Sequence, residues 1–166
     1  MEGITDIDRQ MMHRALDLAQ KAALIGEVPI AAIVYKDGDI LAEAHNRREL
    51  DQDPTGHAEI IALRRAAHRI DSWRLEGCTL AVTLEPCPMC AGALVNARVA
   101  RLVYGATDPK MGCVDTLGHL CTEPRFNHQV QVVSGLFAEE AGTLLSDFFK
   151  LRRGGNRPPK PRLHAD

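Results

Sequence analysis

The chain has 166 residues, of which 45% are apolar and 25% charged, a size and mixture suited to one domain with a sizeable core and no need of staples. Its net charge of −2 demands no polyanionic partner, no run of ~18 apolar residues marks a membrane span, and the polar opening of the chain lacks a signal-peptide core, so a cytoplasmic protein is expected. Five cysteines, an odd number, in that reducing setting point to metal ligands and free thiols rather than a disulfide framework.

Residues 6–25 carry Ile7, Met11, Ala15, Leu18 and Ala22 at helical spacing, with Asp6 as expected N-cap and Gly26 as terminator. The run 29–35 is apolar and partly β-branched, as in a buried strand. Lys36-Asp37-Gly38-Asp39 reads as a hairpin turn and 40–45 as the returning strand. A polar loop holding Pro54 and Gly56 fills 47–56. Residues 57–70 alternate apolar and basic at a helical period, 78–84 form a strand, and the small residues of 88–97 suit a closely packed helix. A strand over 101–106, a long irregular segment over 107–128, a short strand over 129–135 and a helix over 138–153 complete the domain, with Leu144, Leu145, Phe148 and Leu151 on one stripe of the last helix. The domain is expected over 1–153, followed by a flexible tail, 154–166, rich in Gly, Pro and Arg. From Lys150 onward six basic residues stand against Asp166 alone, leaving the rest acidic, an asymmetry of the kind found at nucleic-acid contacts. The element order predicts an α/β fold, one sheet sandwiched by helices. Only the first strand pair is joined by a short turn, so the other strands are expected to run largely parallel.

Two segments carry chemistry: Gly56-His57-Ala58-Glu59 and Glu85-Pro86-Cys87-Pro88-Met89-Cys90, each at the opening of a predicted helix. Cys87 and Cys90, three apart at a helix start, share a face and can bind one metal, and the positive helix end favours their thiolates. His57 adds a neutral ligand. One His and two thiolates balance the charge of Zn²⁺ and leave the fourth tetrahedral position open for water, as in a catalytic rather than a structural site. Such water is acidic enough to react near neutral pH. Glu59, two residues from His57, reaches it without being a ligand and serves as proton shuttle to a ring nitrogen and a leaving amine. A lone C-x-x-C is a weak signal, but H-x-E combined with P-C-x-x-C is the known signature of zinc deaminases of nucleobases.

With these motifs the chain resembles the bacterial tRNA-specific adenosine deaminases of the cytidine deaminase-like superfamily, from the first helix to about Arg153. The likeness includes Glu27-Val28-Pro29, His45-Asn46, Pro54-Thr55 before His57-Ala58-Glu59, Thr83-Leu84-Glu85-Pro86-Cys87, Cys90-Ala91-Gly92 and Tyr104-Gly105-Ala106. It continues through Asp108, Asn127-His128 and the run from Leu144 to Lys150. The resemblance implies a three-layer α/β/α fold around a mixed five-stranded sheet, and hydrolytic deamination of the wobble adenosine to inosine in the anticodon loop of an arginine tRNA. It implies one zinc per chain on His57, Cys87 and Cys90, with Glu59 as catalytic residue. It also implies that Asn46 hydrogen-bonds the target base, that Pro29, Ile30 and Ala58 line its pocket, that Asp108 meets the preceding nucleotide, and that two copies form a homodimer. Ala31 and Gly56 depart from the family's usual Gly and Ala, and the stretch 112–125, with Cys113, His119 and Cys121, departs further.

Other residues read more plainly: His13 and His68 as surface positions, Cys78 as a buried small hydrophobe, Trp73 as a packing residue, and Cys113, His119 and Cys121 as too irregularly spaced for a second metal site. His128 either touches substrate or orders a loop. Of the adjacent Phe148 and Phe149, one is expected inside and one outside. Two rival functions remain. One is deamination of a free base or nucleoside such as guanine or cytosine, although cytidine deaminases usually carry Cys where His57 stands. The other is a zinc-bearing binding module without catalysis, which has no use for Glu59.

Overall fold

Helix formation starts where a side chain can satisfy the first free amides. In the computed structural model, which describes residues 3–155, that residue is Thr5 and not the expected Asp6. The Thr5 hydroxyl accepts from the Asp8 amide (3.1 Å) and the Asp8 carboxylate accepts from the Thr5 amide (2.7 Å), a reciprocal pair that Asp6 has no partner to build. Helix α1 (Asp6–Leu24) ends at Gly26, whose left-handed φ of 86° lets the amides of Gly26 and Glu27 reach back to the carbonyls of Ala23 and Ala22. This turn carries Glu27 into the interior.

Five strands follow: β1 (Ala31–Lys36), β2 (Asp39–His45), β3 (Thr79–Leu84), β4 (Arg101–Ala106) and β5 (Gln131–Ser134), in the spatial order β2-β1-β3-β4-β5. β3, β4 and β5 are parallel, as expected for the strands after the first pair, and β1 is antiparallel to both β2 and β3. The reason lies in the connections. Every crossover joins strands of one direction, and the crossover from β2 to β3 steps over β1, the one strand reversed by the hairpin turn. The crossovers contain α2 (Arg48–Asp51), a single turn inside the expected 47–56 loop, then α3 (Ala58–Arg69), α4 (Pro88–Asn96), and a 3-10 turn, Leu120–Thr122, in the long irregular segment. Helix α5 (Ala138–Arg153) closes the described chain.

Strand alternation divides the core into two layers. Ala31, Ile33, Tyr35, Ala81, Val103 and Val133 face Met11, Met12, Ala15 and Ala19 of α1. Ala32, Val34, Leu80, Val82, Leu102 and Tyr104 face α3 and α4. Ala58, Ala62 and Ala66 recur every fourth residue and are wholly buried, so α3 lies close against the sheet. The fold is thus α/β/α around a mixed five-stranded sheet.

The stripe expected on α5 is only partly covered: Phe148 is buried, Leu144 and Leu145 are half-buried, and Leu151 is 60% exposed. Phe149 is exposed, so the two phenylalanines divide as expected. Trp73 is 59% exposed rather than packed, its ring flanked by the Arg74 and Arg98 guanidiniums at 4.9 and 5.9 Å, where charge and indole face attract without burial. Residues 156–166, most of the expected tail, lie outside the described residues. Among those described, no helix is long and apolar enough to cross a membrane.

Candidate active site

Strand register decides which residues share an edge. Ala31 pairs with His45, Ala32 with Val82, and Leu84 with Ala106, so the start of β1 lies beside the ends of β2, β3 and β4. Residues just beyond these ends converge: Pro29 and Ile30 before β1, Asn46 after β2, Cys87 after β3 and Asp108 after β4. The crevice beyond the carboxyl ends of parallel strands is where α/β sheets place their ligands.

Two helices start at this edge with functional residues as their caps. His57 is the N-cap of α3 and Cys87 that of α4, where Pro88 at the first helical position needs no hydrogen-bond acceptor. One turn on, Cys90 is buried on the same side. His57 Nδ1 lies 3.5 Å from Cys87 Sγ and 3.6 Å from Cys90 Sγ, and all three donor atoms fall within 4.8 Å of one another. A tetrahedral zinc with bonds of about 2.3 Å to sulfur and about 2.05 Å to nitrogen sets those atoms about 3.6 Å apart, so the donor set and its spacing fit the ion. Among the described residues this is the one His/Cys/Asp/Glu group so arranged. Hydrogen bonds from Cys90 and His57 pull the Cys87 thiol down to about 4, while the same contact and burial push the Cys90 thiol up.

Glu59 lies in the first turn of α3, 4% exposed and outside the donor triangle. Burial pushes its carboxyl up to about 7. A carboxyl poised there both takes and returns a proton at neutral pH.

The residues expected to meet substrate share the edge. Asn46 is 6% exposed; its amide N–H donates to Ile30 O (2.9 Å) and its Oδ1 accepts from the Arg48 amide (3.3 Å). Pro29 is buried, Ile30 half-buried, and Ala58 wholly buried in the core beneath the site. Asp108 is half-buried, and its Oδ1 accepts from the amides of Lys110 and Met111 (3.0 and 3.2 Å).

Two acidic residues went unassigned in the sequence. Glu85, 1% exposed, accepts from the amides of Asp108, Val114, Asp115 and Thr116 and from the Thr116 hydroxyl. Burial alone would raise its pKa, but the Thr116 hydroxyl and these amides outweigh it and hold the carboxyl below its ordinary range. Glu27 is wholly buried and accepts from the Leu50 amide, tying α2 to the start of β1. Among the described residues its Oε2 is the one buried side-chain polar atom without a partner. The available signal was an acid abutting an apolar strand, as in Leu84-Glu85-Pro86 and Glu27-Val28-Pro29.

The remaining candidates stand apart from the donors. His128 Nε2 lies 2.7 Å from Val99 O and orders a loop. Cys113 donates its amide to Pro86 O, His119 Nδ1 lies 3.2 Å from Val114 O, and Cys121 and Cys78 are buried. His13 stacks on Phe137 at the surface, and His68 is exposed.

Comparison with known proteins agrees with this geometry. Residues 7–153 match the family model of the MafB19-like deaminases. The tRNA-specific adenosine deaminase of Bacillus subtilis is 49% identical over 94% of this chain and 97% of its own length. A solved tRNA:A34 deaminase, from work on A-to-I editing at the wobble position of transfer RNA, superposes with a TM-score of 0.79 at 42% identity, covering 82% of this chain and 99% of its own. The guanine deaminase of Nitrosomonas europaea is more distant, with a TM-score of 0.70 at 26% identity over 84% of this chain and 83% of its own.

Proposed function

Because this chain belongs to the MafB19-like deaminases and, among them, to the tRNA-specific adenosine deaminases, we propose that it converts the wobble adenosine of an arginine tRNA to inosine. Water replaces the amino group at C6 and ammonia leaves. His57, Cys87 and Cys90 would hold one zinc ion, which supplies a water acidic enough to attack near neutral pH. Glu59 takes one proton of the attacking water and delivers it to the ring nitrogen N1, then carries the second from the new C6 hydroxyl to the departing amine. Asn46 hydrogen-bonds the base, which is splayed out of the anticodon loop. Pro29, Ile30 and Ala58 shape its pocket, and Asp108 meets the nucleotide before it. The basic end of α5, with Lys150, Arg152 and Arg153, supplies charge for flanking phosphates. The enzyme works in the cytoplasm as a homodimer.

The observation that carries the reading is Glu59: a buried carboxyl two residues from one metal donor and not itself one of the donor group. A purely structural zinc site has no role for it.

The test is inosine formation in an arginine tRNA transcript with a wobble adenosine, using zinc-loaded protein, with free guanine, cytosine and adenosine assayed alongside. Conversion at that one adenosine is expected, lost on chelation and restored by zinc. Ammonia from guanine with tRNA untouched would move the chain to the free-base deaminases.

A further inference from the structure

We propose that Glu85 is a positioning residue that locks the loop bearing Asp108 onto the peptide leading to Cys87 and so sets how tightly the RNA is held. The proposal rests on the reading that Asp108 meets the nucleotide before the target.

Between β4 and β5 the chain runs through residues 107–130 with a single 3-10 turn as regular structure. Such a segment has no ladder of its own to hold it in place. The structure shows what holds it. Glu85 stands directly after β3, two residues before Cys87, and its two oxygens divide the near half of the segment between them. Oε1 accepts from the amides of Val114 (3.2 Å), Asp115 (2.8 Å) and Thr116 (3.0 Å). Oε2 accepts from the Asp108 amide (3.0 Å) and the Thr116 hydroxyl (2.5 Å). Beside it, Pro86 O accepts from the Cys113 amide (2.9 Å). The backbone of Asp108 is closed from its other side, since its carbonyl accepts from the Gly112 amide (2.9 Å).

The approach leaves no room for a side chain at the turn. A Cβ on Gly112 would lie 2.3 Å from Glu85 Oε2 and 2.6 Å from Asp108 O. One side chain therefore joins the peptide that presents a metal donor to the peptide that presents Asp108, with hydrogen bonds to an ionised acceptor, which are stronger than neutral ones. A loop held this way meets its ligand without a further ordering cost on binding. Glu85 is aimed at the loop and its donors and makes no hydrogen bond to the zinc donor side chains, so its effect belongs to substrate binding more than to the chemical step.

The experiment measures zinc-loaded Glu85→Gln, Glu85→Ala and Thr116→Val on an anticodon stem-loop of arginine tRNA. A glutamine offers one acceptor oxygen to a site built for two and turns its NH₂ toward the other donors. KM is expected to rise roughly tenfold in Glu85→Gln and about threefold in Thr116→Val, with kcat within about threefold of wild type. Zinc should stay at one per chain, and the amides of residues 108 and 114–116 should exchange faster with solvent. In an Asp108→Ala background, Glu85→Gln should add little to KM, because the two act in series. The proposal is overturned by loss of zinc, by a fall in kcat at unchanged KM, or by full additivity with Asp108→Ala. Should Glu85→Ala not fold, Glu85→Gln and Thr116→Val decide the matter. A wild-type enzyme active on the stem-loop with variants equal to it sinks this inference alone, whereas an inactive wild type sinks the tRNA reading beneath it.

Discussion

Asp8 and Glu59 each lie in the first turn of a helix, 1% and 4% exposed, on opposite faces of one sheet. Burial acts on both in the same direction, yet they end in opposite states. Asp8 accepts from both arms of the Arg101 guanidinium (2.6 and 2.7 Å), the Tyr35 hydroxyl (2.5 Å) and the Thr5 amide (2.7 Å). Burial would raise its carboxyl, but Arg101, Tyr35 and Thr5 together hold it well below the ordinary range. Glu59 has no guanidinium bonded to it, and burial raises its carboxyl instead. Partners, not depth, decide whether a buried carboxylate stays charged. The saturated one ties α1 to β1 and β4, while Glu59 carries no such tie and is the acid proposed to move a proton.

The largest expected effect separates the two roles. Glu59→Gln should lower kcat roughly 10²–10⁴-fold while zinc content and the midpoint of thermal unfolding stay at wild-type values; single-turnover rates, metal analysis and calorimetry check this. A fall in stability there would break the contrast. Asp8→Asn should do the reverse. It strands Arg101, only 15% exposed, at a cost of about 3–5 kcal/mol in denaturant unfolding, while kcat of the folded enzyme is unchanged. Acid sharpens the same point. Because the folded-state pKa of Asp8 is depressed, its contribution is complete above the ordinary carboxylate range near 4 and is lost as pH falls further. Unfolding measured below about pH 4 should show a decline of up to about 1.4 kcal/mol per pH unit from this group, and the Asp8→Asn protein should lack it. Smallest of all, adding Arg101→Met to Asp8→Asn should restore at least about 1 kcal/mol, since the unpaired guanidinium is what costs.

Much of the site was legible because its geometry is local. His57 and Glu59 are two apart, Cys87 and Cys90 three apart, and each pair opens a helix, so spacing along the chain is also spacing in space. The strand at Arg101–Ala106 and the helix at Ala138–Arg153 were legible for the same reason, being strongly patterned runs. Errors fell where a distant partner decides. The one local miss is the cap of α1, where Asp8, three residues on, answers Thr5 and not Asp6. Trp73 stays at the surface because Arg98, far along the chain, joins Arg74 on its ring. Glu85 and Glu27 looked like ordinary acids because the amides they hold lie more than twenty residues away.

The sequence by itself determined the His/Cys/Cys group, the acid two residues from its histidine and the layered α/β scaffold, because all three follow from short-range pattern. Tertiary structure alone decided the rest. Strand register brought Pro29, Ile30, Asn46, Cys87 and Asp108 to one edge. The hairpin reversed β1 within an otherwise parallel run, and the surroundings of each buried acid settled the direction in which its carboxyl shifts. Register and the opposite shifts of the two acids depend on which groups meet across the fold, and no spacing along the chain encodes the local field at a buried oxygen.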